Sequence, residues 1–220
     1  MGAYENFRES YEKSSFVEKI KFVKEINWFS NALGYEVDSL YWYGYLRAID
    51  EKCVSCDDGE YYVYLWRHVW GDPFYVGSGK NDRWLSKNGR CDDFYLHLDQ
   101  GDAVVYKILK GVDSQTARLF EKYVSVNLIE AGYTLANGDN NPEYMTDAAR
   151  GRRIKECEKI DDHELAPMVQ NTILSVLNEH TKCDYRVTDA FLMKYGVDYF
   201  SRNYMGRNKR ENDRRIPGRV

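Results

Sequence analysis

The sequence predicts an α/β protein in which a small, mainly antiparallel three-stranded sheet is flanked by helices, with helical additions at both ends. Three runs rich in aromatic and β-branched residues, as expected for strands, lie in the middle of the chain, at 61–66, 74–76 and 103–109. Before and after this part, apolar residues recur every three or four positions, which is typical of amphipathic helices. We therefore divide the chain into a helical N-terminal extension (1–58), a mixed central domain (59–140) and a helical C-terminal region (141–220).

The composition is that of a protein with a real core. Hydrophobic residues make up 43% of the 220 residues and aromatic residues 15%, which excludes wholesale disorder. The nineteen tyrosines suit a partly wet binding surface, but tyrosine also fills cores. Taken alone, the formal net charge of −4 argues against a nucleic-acid partner, because phosphate binding usually shows as a positive balance.

The N-terminal extension is predicted to form a helical hairpin. Its first helix has apolar residues at spacings of three and four, with Gly34 as its C-cap: Phe16, Ile20, Val23, Ile26, Phe29 and Leu33. A second run keeps a similar period although it contains Gly44: Val37, Leu40, Tyr43, Leu46 and Ile49. The hairpin carries no chemical motif, so packing, dimer contact and the clamping of DNA remain alternatives for it.

The central domain begins with a β-hairpin. Its strands at 61–66 and 74–76 are joined by a turn at 71–73, and the glycines at 77 and 79 end the second strand. A short helix is predicted to start near Asn81, and a third strand follows at 103–109. Asp113 or Ser114 caps a helix that runs from about Gln115 to Ala131, and its predicted inner side comprises Leu119, Tyr123, Val126 and Ile129.

The C-terminal region is predicted to contain three helices and a basic tail. A helix spans about 164–180, with Pro167 in its first turn. Two shorter helices, at 187–194 and 197–203, are separated by a glycine turn at 195–196. Such a unit can place its second helix in a major groove, but short helical hairpins are common, and simple packing remains an alternative.

The last twenty residues are strongly basic. They carry seven basic and two acidic side chains, a formal charge of +5, within a chain whose formal charge is −4. Such a tail suits contacts with the phosphates of DNA, and a solvated terminus is the alternative. The candidate DNA-binding residues are Arg202, Arg207, Lys209, Arg210, Arg214 and Arg215.

Cysteine usage and hydropathy predict a cytoplasmic protein without a membrane partner. The five cysteines are odd in number and scattered, the N-terminus is polar, and the longest apolar runs are too short to span a bilayer. Cys53 and Cys56 form half of a zinc-site pattern. Cys91 and His97 complete it only if the fold brings them there, so unpaired thiols are the favoured interpretation.

Six residues of the central domain form a constellation with chemical meaning. Tyrosines stand on both arms of the hairpin, a glycine follows the second, and an arginine, a helical glutamate and a loop asparagine come later in the chain: Tyr64, Tyr75, Gly77, Arg83, Glu121 and Asn137. They supply a group to activate water, a fixed cation for a transition state and a carboxylate for a divalent metal. The set is suited to the cleavage of phosphodiester bonds.

These residues resemble the GIY-YIG nuclease superfamily. The segment 62–64 (YVY) stands where the family has its first motif, and 75–77 (YVG) matches the second. The stretch 73–83 (PFYVGSGKNDR) resembles the branch that includes the LEM-domain nucleases of animals and bacterial and phage relatives. The similarity continues with Glu121, four residues after Ala117, and with Asn137, and it covers about residues 60–138.

The resemblance implies a metal-dependent endonuclease that hydrolyses DNA, of a restriction, phage or mobile-element type, with repair of branched DNA also open. Glu121 would hold one Mg²⁺ or Mn²⁺, Tyr64 would take a proton from the attacking water, and Tyr75 would position the water or the phosphate. Arg83, assisted by Lys80, would neutralise the charge on the phosphoryl oxygens, while Gly77 and Asn137 support the site. A clean double-strand cut would imply a homodimer or sequential nicking.

Two positions depart from the family pattern. Tyr62 replaces the glycine that opens the first motif, and Lys87 stands four residues after Arg83, where the family usually has His or Tyr. Lysine is a poor base unless its pKa is lowered, and His68 or His97 would then have to substitute. Two alternatives therefore stay open: a catalytically silent nucleic-acid-binding module of the same fold, and a structural protein whose tyrosines anchor a partner.

Overall fold

The computed structural model describes residues 11–32, 47–49, 53–68, 72–100, 103–137 and 146–178. Its helices are α1 (Phe16–Ala32), α2 (Asp92–Leu98), α3 (Ser114–Glu130), α4 (Asp147–Ile160) and α5 (Ala166–Asn178). Its strands are β1 (Arg47–Ile49), β2 (Val54–Ser55), β3 (Tyr61–His68), β4 (Pro73–Gly79) and β5 (Ala103–Val112). The order of strands and helices makes this an α/β protein.

The sheet is mixed and larger than the sequence predicts. Its order is β1-β5-β3-β4, and β2 also pairs with β5. Strand β3 is antiparallel to β4 and to β5, as expected for the predicted hairpin and third strand. The predicted three-stranded sheet is nevertheless wrong in extent, because β1 and β2 add a parallel edge along β5.

Strand β1 lies where the sequence predicts the end of the second N-terminal helix, so that part of the prediction is wrong. Ile49, which the sequence placed in that helix, pairs with Tyr106 of β5. A short apolar run carries a weak helical period, and pairing with a long neighbouring strand overrides it. The rest of that predicted helix, Gly34, the two short helices at 187–203 and the basic tail lie outside the described residues.

Strand β3 separates two clusters of buried side chains. Val63 and Leu65 face the larger cluster, which helices α1, α3, α4 and α5 complete. Successive side chains of a strand point to opposite faces, so the residues between them face the other way. The smaller cluster contains Tyr62, Tyr64, Trp66, Phe74, Trp84 and Phe94. This smaller cluster carries the tyrosines of the predicted site.

Two helices have N-terminal caps that can be recognised in the sequence. At α1, the Ser15 hydroxyl accepts from the Glu18 backbone N–H, and the Glu18 carboxylate accepts from the Ser15 N–H at 2.8 Å, which together form a capping box. At α3, the Asp113 carboxylate accepts from the N–H groups of Gln115 and Thr116. The predicted cap of α3 is therefore confirmed.

The predicted inner side of α3 is partly wrong. Leu119 is 37% exposed and Ile129 is only half-buried, whereas Ala117, Phe120 and Val124 are fully buried. The helix packs against the sheet on one side and against α1 and α4 on others, so its buried surface is wider than one apolar stripe.

Two further differences concern helices. Residues 81–85 form turns, so the helix predicted to start near Asn81 is absent, and α2 begins at Asp92. Helix α4 was not predicted, because its sequence is mostly polar, although Cys157 and Ile160 are buried. The domain boundaries at 58 and 140 remain predictions. Strand β5 of the central part is contacted by β1 and β2, which precede residue 58, and by α5, which follows residue 140.

Within the described segments, no helix combines the length and the apolar character needed to cross a membrane.

Candidate active site

Tyr64 and Gly77 face each other across the β3–β4 hairpin. Tyr64 is fully buried, and its ring leans over the glycine. A Cβ atom at position 77 would lie 2.5 Å from Tyr64 Cζ and would overlap the hydroxyl. Gly77 therefore provides the space that the Tyr64 ring occupies, and this explains why a strand contains a glycine here.

Arg90 joins Tyr64 to Tyr75. Its Nη2 donates to the Tyr64 hydroxyl and its Nη1 to the Tyr75 hydroxyl, both at 2.7 Å. The two tyrosine rings are stacked, with centroids 6.4 Å apart. Arg90 was not among the predicted residues: it lies just before α2 in a loop, and no motif spacing singles it out.

The surroundings of Tyr64 oppose its ionisation. Burial raises the pKa of Tyr64 to about 12, and the neighbouring Tyr75 raises it as well, while the cations of Arg90 and Arg83 lower it. Tyr64 is therefore a neutral phenol at neutral pH. The predicted role of Tyr64 as the proton acceptor requires more help from cations than these two arginines give in the free protein.

Arg83 is held by turns and not by the predicted helix. Its aliphatic stem crosses Gly79, where a Cβ atom would lie 2.7 Å from Arg83 Cγ, and its Nη1 donates to the Asn88 carbonyl at 2.9 Å. The Tyr62 hydroxyl donates to the Asn81 carbonyl at 2.5 Å and accepts from the Trp84 N–H at 3.1 Å. Tyr62 thus fastens the turn that carries Arg83.

The two predicted lysines lie in different surroundings. Lys80 Nζ is 3.9 Å from the Glu60 carboxylate and lies over the Tyr61 ring. The backbone carbonyl of Lys87 accepts from the Tyr95 hydroxyl at 2.8 Å. The tyrosine hydroxyls accept hydrogen bonds from Arg90, three residues after Lys87.

The two histidines that were candidates to substitute for Lys87 are paired with each other. His68 Nε2 lies 2.9 Å from His97 Nδ1. The His97 ring stacks on Phe74, with centroids 4.7 Å apart. These histidines therefore help to pack α2 against the hairpin.

Glu121 reaches the end of β4 from helix α3. The Ser78 hydroxyl donates to Glu121 Oε2 at 2.5 Å. One turn earlier, the small and fully buried Ala117 lets α3 approach the sheet closely. Because neighbouring side chains of a strand alternate, Ser78 and Glu121 lie on the helix face of β4, while Gly77 belongs to the face with the tyrosines. The two halves of the predicted site therefore meet at β4, the last strand in the described order of the sheet.

Near Ser78 the structure provides one possible ligand for a hard divalent cation, the Glu121 carboxylate. Mg²⁺ is commonly bound by one or two carboxylates together with waters and substrate phosphates, and the half-buried Glu121 carboxylate supplies such a ligand. In the part of the chain that the structure describes, no group of three or more His, Cys, Asp or Glu side chains could hold a metal. The zinc site considered from the sequence is not assembled there: Cys56 packs against the larger cluster and Cys91 against the smaller one.

Asn137 braces β4 between Tyr75 and Gly77. Its Oδ1 accepts from the Val76 N–H at 3.0 Å, and its Nδ2 donates to the Val76 carbonyl at 2.6 Å. The Ala136 N–H donates to the Phe74 carbonyl at 2.6 Å, so the segment extends along the strand. Asn137 therefore satisfies backbone groups of β4 that would otherwise lack partners at a buried position.

Replacing Asn137 by Ala is expected to lower the free energy of unfolding by about 2–3 kcal/mol, because it leaves a buried N–H and a buried C=O without partners. Urea unfolding measures this. Asn171→Ala, an exposed position on α5, is the control and should change stability by less than about 0.5 kcal/mol. Equal effects of the two variants would show that Asn137 does not brace the strand.

Comparisons of the chain with protein-family models, with curated proteins and with solved structures found no match. The assignment of a function therefore depends on the residues of the site and on their geometry.

Proposed function

We propose that this protein is a divalent-metal-dependent endonuclease that hydrolyses DNA phosphodiester bonds, with β3, β4, β5 and α3 as a catalytic core of the GIY-YIG type. The observation that carries the proposal is the cluster of Tyr64, Arg90 and Tyr75 beside Gly77. The carboxylate of Glu121, from helix α3, bonds to Ser78, the next residue of β4. Two phenols and a guanidinium thus lie on one face of β4, and a carboxylate lies on its other face within the same short stretch of strand.

The half-buried Tyr75 is the phenol of this cluster that a substrate reaches most easily, since Tyr64 is fully buried. Arg83, whose stem crosses the end of β4, would place its charge against the phosphoryl oxygens, and Lys80 would assist it. A guanidinium fits this task because its charge and its donors match a phosphate. Lys87 would add charge to the phosphate from the neighbouring loop.

Hydrolysis forms a bond from a water oxygen to phosphorus and breaks the bond from phosphorus to one ester oxygen, which leaves with the bonding electrons and takes up a proton from solvent. The water must lose a proton, and Tyr64 would accept it once cations have lowered its pKa, while Tyr75 would position the water or the phosphate. Mg²⁺ or Mn²⁺, when held by Glu121, would supply further positive charge to the scissile phosphate. Gly77 and Asn137 would keep the phenols and β4 in place.

DNA would also be contacted outside the core. The basic residues of the tail, which lie outside the described part of the chain, are suited to phosphate contacts: Arg202, Arg207, Lys209, Arg210, Arg214 and Arg215. One active site cuts one strand at a time, so a homodimer or sequential nicking would be needed for a double-strand cut. A restriction, phage or mobile-element role in the cytoplasm fits one small catalytic module with appended segments.

Cleavage of supercoiled plasmid tests the proposal. With Mg²⁺ or Mn²⁺ we expect conversion to nicked or linear DNA, and with EDTA we expect none, because Glu121 then has no cation to present. Branched DNA and RNA are assayed alongside, since the sequence leaves the target open. Cleavage that persists in EDTA, or its complete absence on all three substrates, would refute the proposed activity.

The second candidate is a catalytically silent module that binds nucleic acid. The observation that favours it is the burial of Tyr64, which raises its pKa to about 12 and opposes its use as a base. Such a module would bind DNA with an affinity that falls steeply with salt, and it would leave the DNA intact with either metal. Binding without cleavage would favour it, and the absence of both would favour a structural or partner-binding protein.

A further inference from the structure

Arg90 is the residue through which the two tyrosines of the site are connected. We infer that Arg90 is a positioning residue: its guanidinium fixes the hydroxyls of Tyr64 and Tyr75 relative to each other and to the turn that carries Arg83. The reaction for which it positions them rests on the proposed function. The arrangement of the three side chains can be tested whether or not the protein cleaves DNA.

The hydrogen bonds of Arg90 leave little freedom to its guanidinium. Nη1 donates to Tyr75 and Nη2 to Tyr64, both at 2.7 Å. Nη2 also donates to the carbonyls of Arg83 and Ser86, at 3.1 and 3.2 Å, and Nε donates to Ser86 at 3.3 Å. A planar fork makes these bonds in fixed relative directions, which the ammonium of a lysine does not.

Aromatic rings further restrain the guanidinium. Arg90 Cζ lies 4.6 Å from the centroid of Tyr75, 5.3 Å from that of Phe94 and 5.5 Å from that of Tyr64. A cation over ring faces is attracted by their quadrupoles, and the attraction grows when water is partly excluded. Arg90 therefore links β3, β4, the 83–86 turns and α2 at one point.

This arrangement has a consequence for the two phenols. A hydroxyl that accepts from Arg90 must direct its own proton elsewhere, because the guanidinium has only donors. The charged groups that face Tyr64 are Arg90 and Arg83, with the phenol of Tyr75 as a further titratable neighbour. The Tyr62 ring, 5.9 Å away between centroids, completes its surroundings. Arg90 thus orients both protons and also favours ionisation of Tyr64.

The test compares Arg90→Met, which removes the charge and the donors, with Arg90→Lys, which keeps the charge but lacks the fork. Arg152→Met is the matched control, because Arg152 is exposed on α4. Thermal unfolding and circular dichroism establish that each variant is folded. If Arg90→Met does not fold, the Arg90→Lys variant carries the test.

The first readout is independent of cleavage. The protein is labelled with 3-fluorotyrosine, and the ¹⁹F signals of positions 64 and 75 are assigned with Tyr64→Phe and Tyr75→Phe. We expect both signals to shift in Arg90→Met and Arg90→Lys and neither to shift in Arg152→Met. Unchanged signals in both Arg90 variants would overturn the inference, whether or not the protein is a nuclease.

The second readout is the dependence of cleavage on pH. Arg90→Met is expected to lower kcat/KM about 30-fold near neutral pH, and Arg90→Lys about 5-fold, because the phenols lose their fixed positions. Loss of the cation in Arg90→Met raises the pKa of Tyr64. If the pH profile of kcat/KM has a limb on which activity increases with pH, this limb should move to higher pH in Arg90→Met. In Arg90→Lys, which keeps the charge, it should stay close to its wild-type position. A purely structural role would lower stability without moving this limb, and that result would overturn the positioning role. Absence of cleavage in the wild type, together with shifted ¹⁹F signals, would refute the proposed function alone.

Discussion

Replacing Glu121 by Gln is expected to reduce metal-dependent cleavage about 1000-fold or more, while the protein stays folded. Glutamine keeps the shape of the side chain and an oxygen that can accept from Ser78, but it loses the charge that a divalent cation requires. A thousandfold loss corresponds to about 4 kcal/mol of transition-state stabilisation, which is the scale expected for removal of a catalytic cation. Plasmid nicking rates at several Mg²⁺ and Mn²⁺ concentrations measure the loss.

Two variants control for indirect effects of Glu121→Gln. Ser78→Ala removes the hydroxyl that bonds the carboxylate but keeps the carboxylate itself, so its loss should be about 3- to 10-fold. Glu158→Gln, at an exposed position on α4, should leave the rate unchanged. If Glu121→Gln cleaves as fast as the wild type, then either the site is wrong or the nuclease is a contaminant.

The central strands and helix α3 could be predicted because their signals are local. Aromatic and β-branched residues mark β3, β4 and β5, and Asp113 marks the start of α3 through hydrogen bonds within its own turn. Strand β1 could not be predicted in the same way. Its three residues become a strand only because β5 offers an edge, and that edge is a property of the tertiary structure.

The site residues also divide into those that have a local signal in the sequence and those that only the tertiary structure brings together. Tyr64 and Gly77 could be assigned to the two arms of the hairpin, but their pairing depends on an irregularity between Trp66 and Arg67 that shifts the register by one residue. Arg90 lies in a loop and is placed by contacts with Tyr75, Ser86 and Phe94 that exist only in the folded chain, so its spacing from the motifs does not reveal it. Lys87, three residues earlier, is also basic, and only the structure shows that Arg90 is the one that bonds to the tyrosine hydroxyls.

Replacing Gly77 by Ala is expected to lower the free energy of unfolding by about 2–3 kcal/mol and to reduce cleavage at least about 100-fold. The added Cβ would lie 2.5 Å from Tyr64 Cζ, well inside van der Waals contact. Tyr64 has no easy way to yield, because it is fully buried, is bonded to Arg90 and packs against Tyr62 and Tyr75. Either β4 must move away from β3, or the ring must leave its place, and both changes disturb the cluster.

A double-mutant cycle identifies the cause of this loss. In a Tyr64→Leu background the ring is gone, so Gly77→Ala should cost much less stability than in the wild type, and the difference between the two costs measures the clash. Gly151→Ala, on α4, places its Cβ where no atom lies within 4 Å, and it should stabilise the protein by about 0.5–1 kcal/mol as an ordinary helical replacement. If Gly77→Ala costs the same in both backgrounds, the glycine serves the strand and not the ring. In that case the contact between Tyr64 and Gly77 could no longer be taken as the structural basis of the proposed active site.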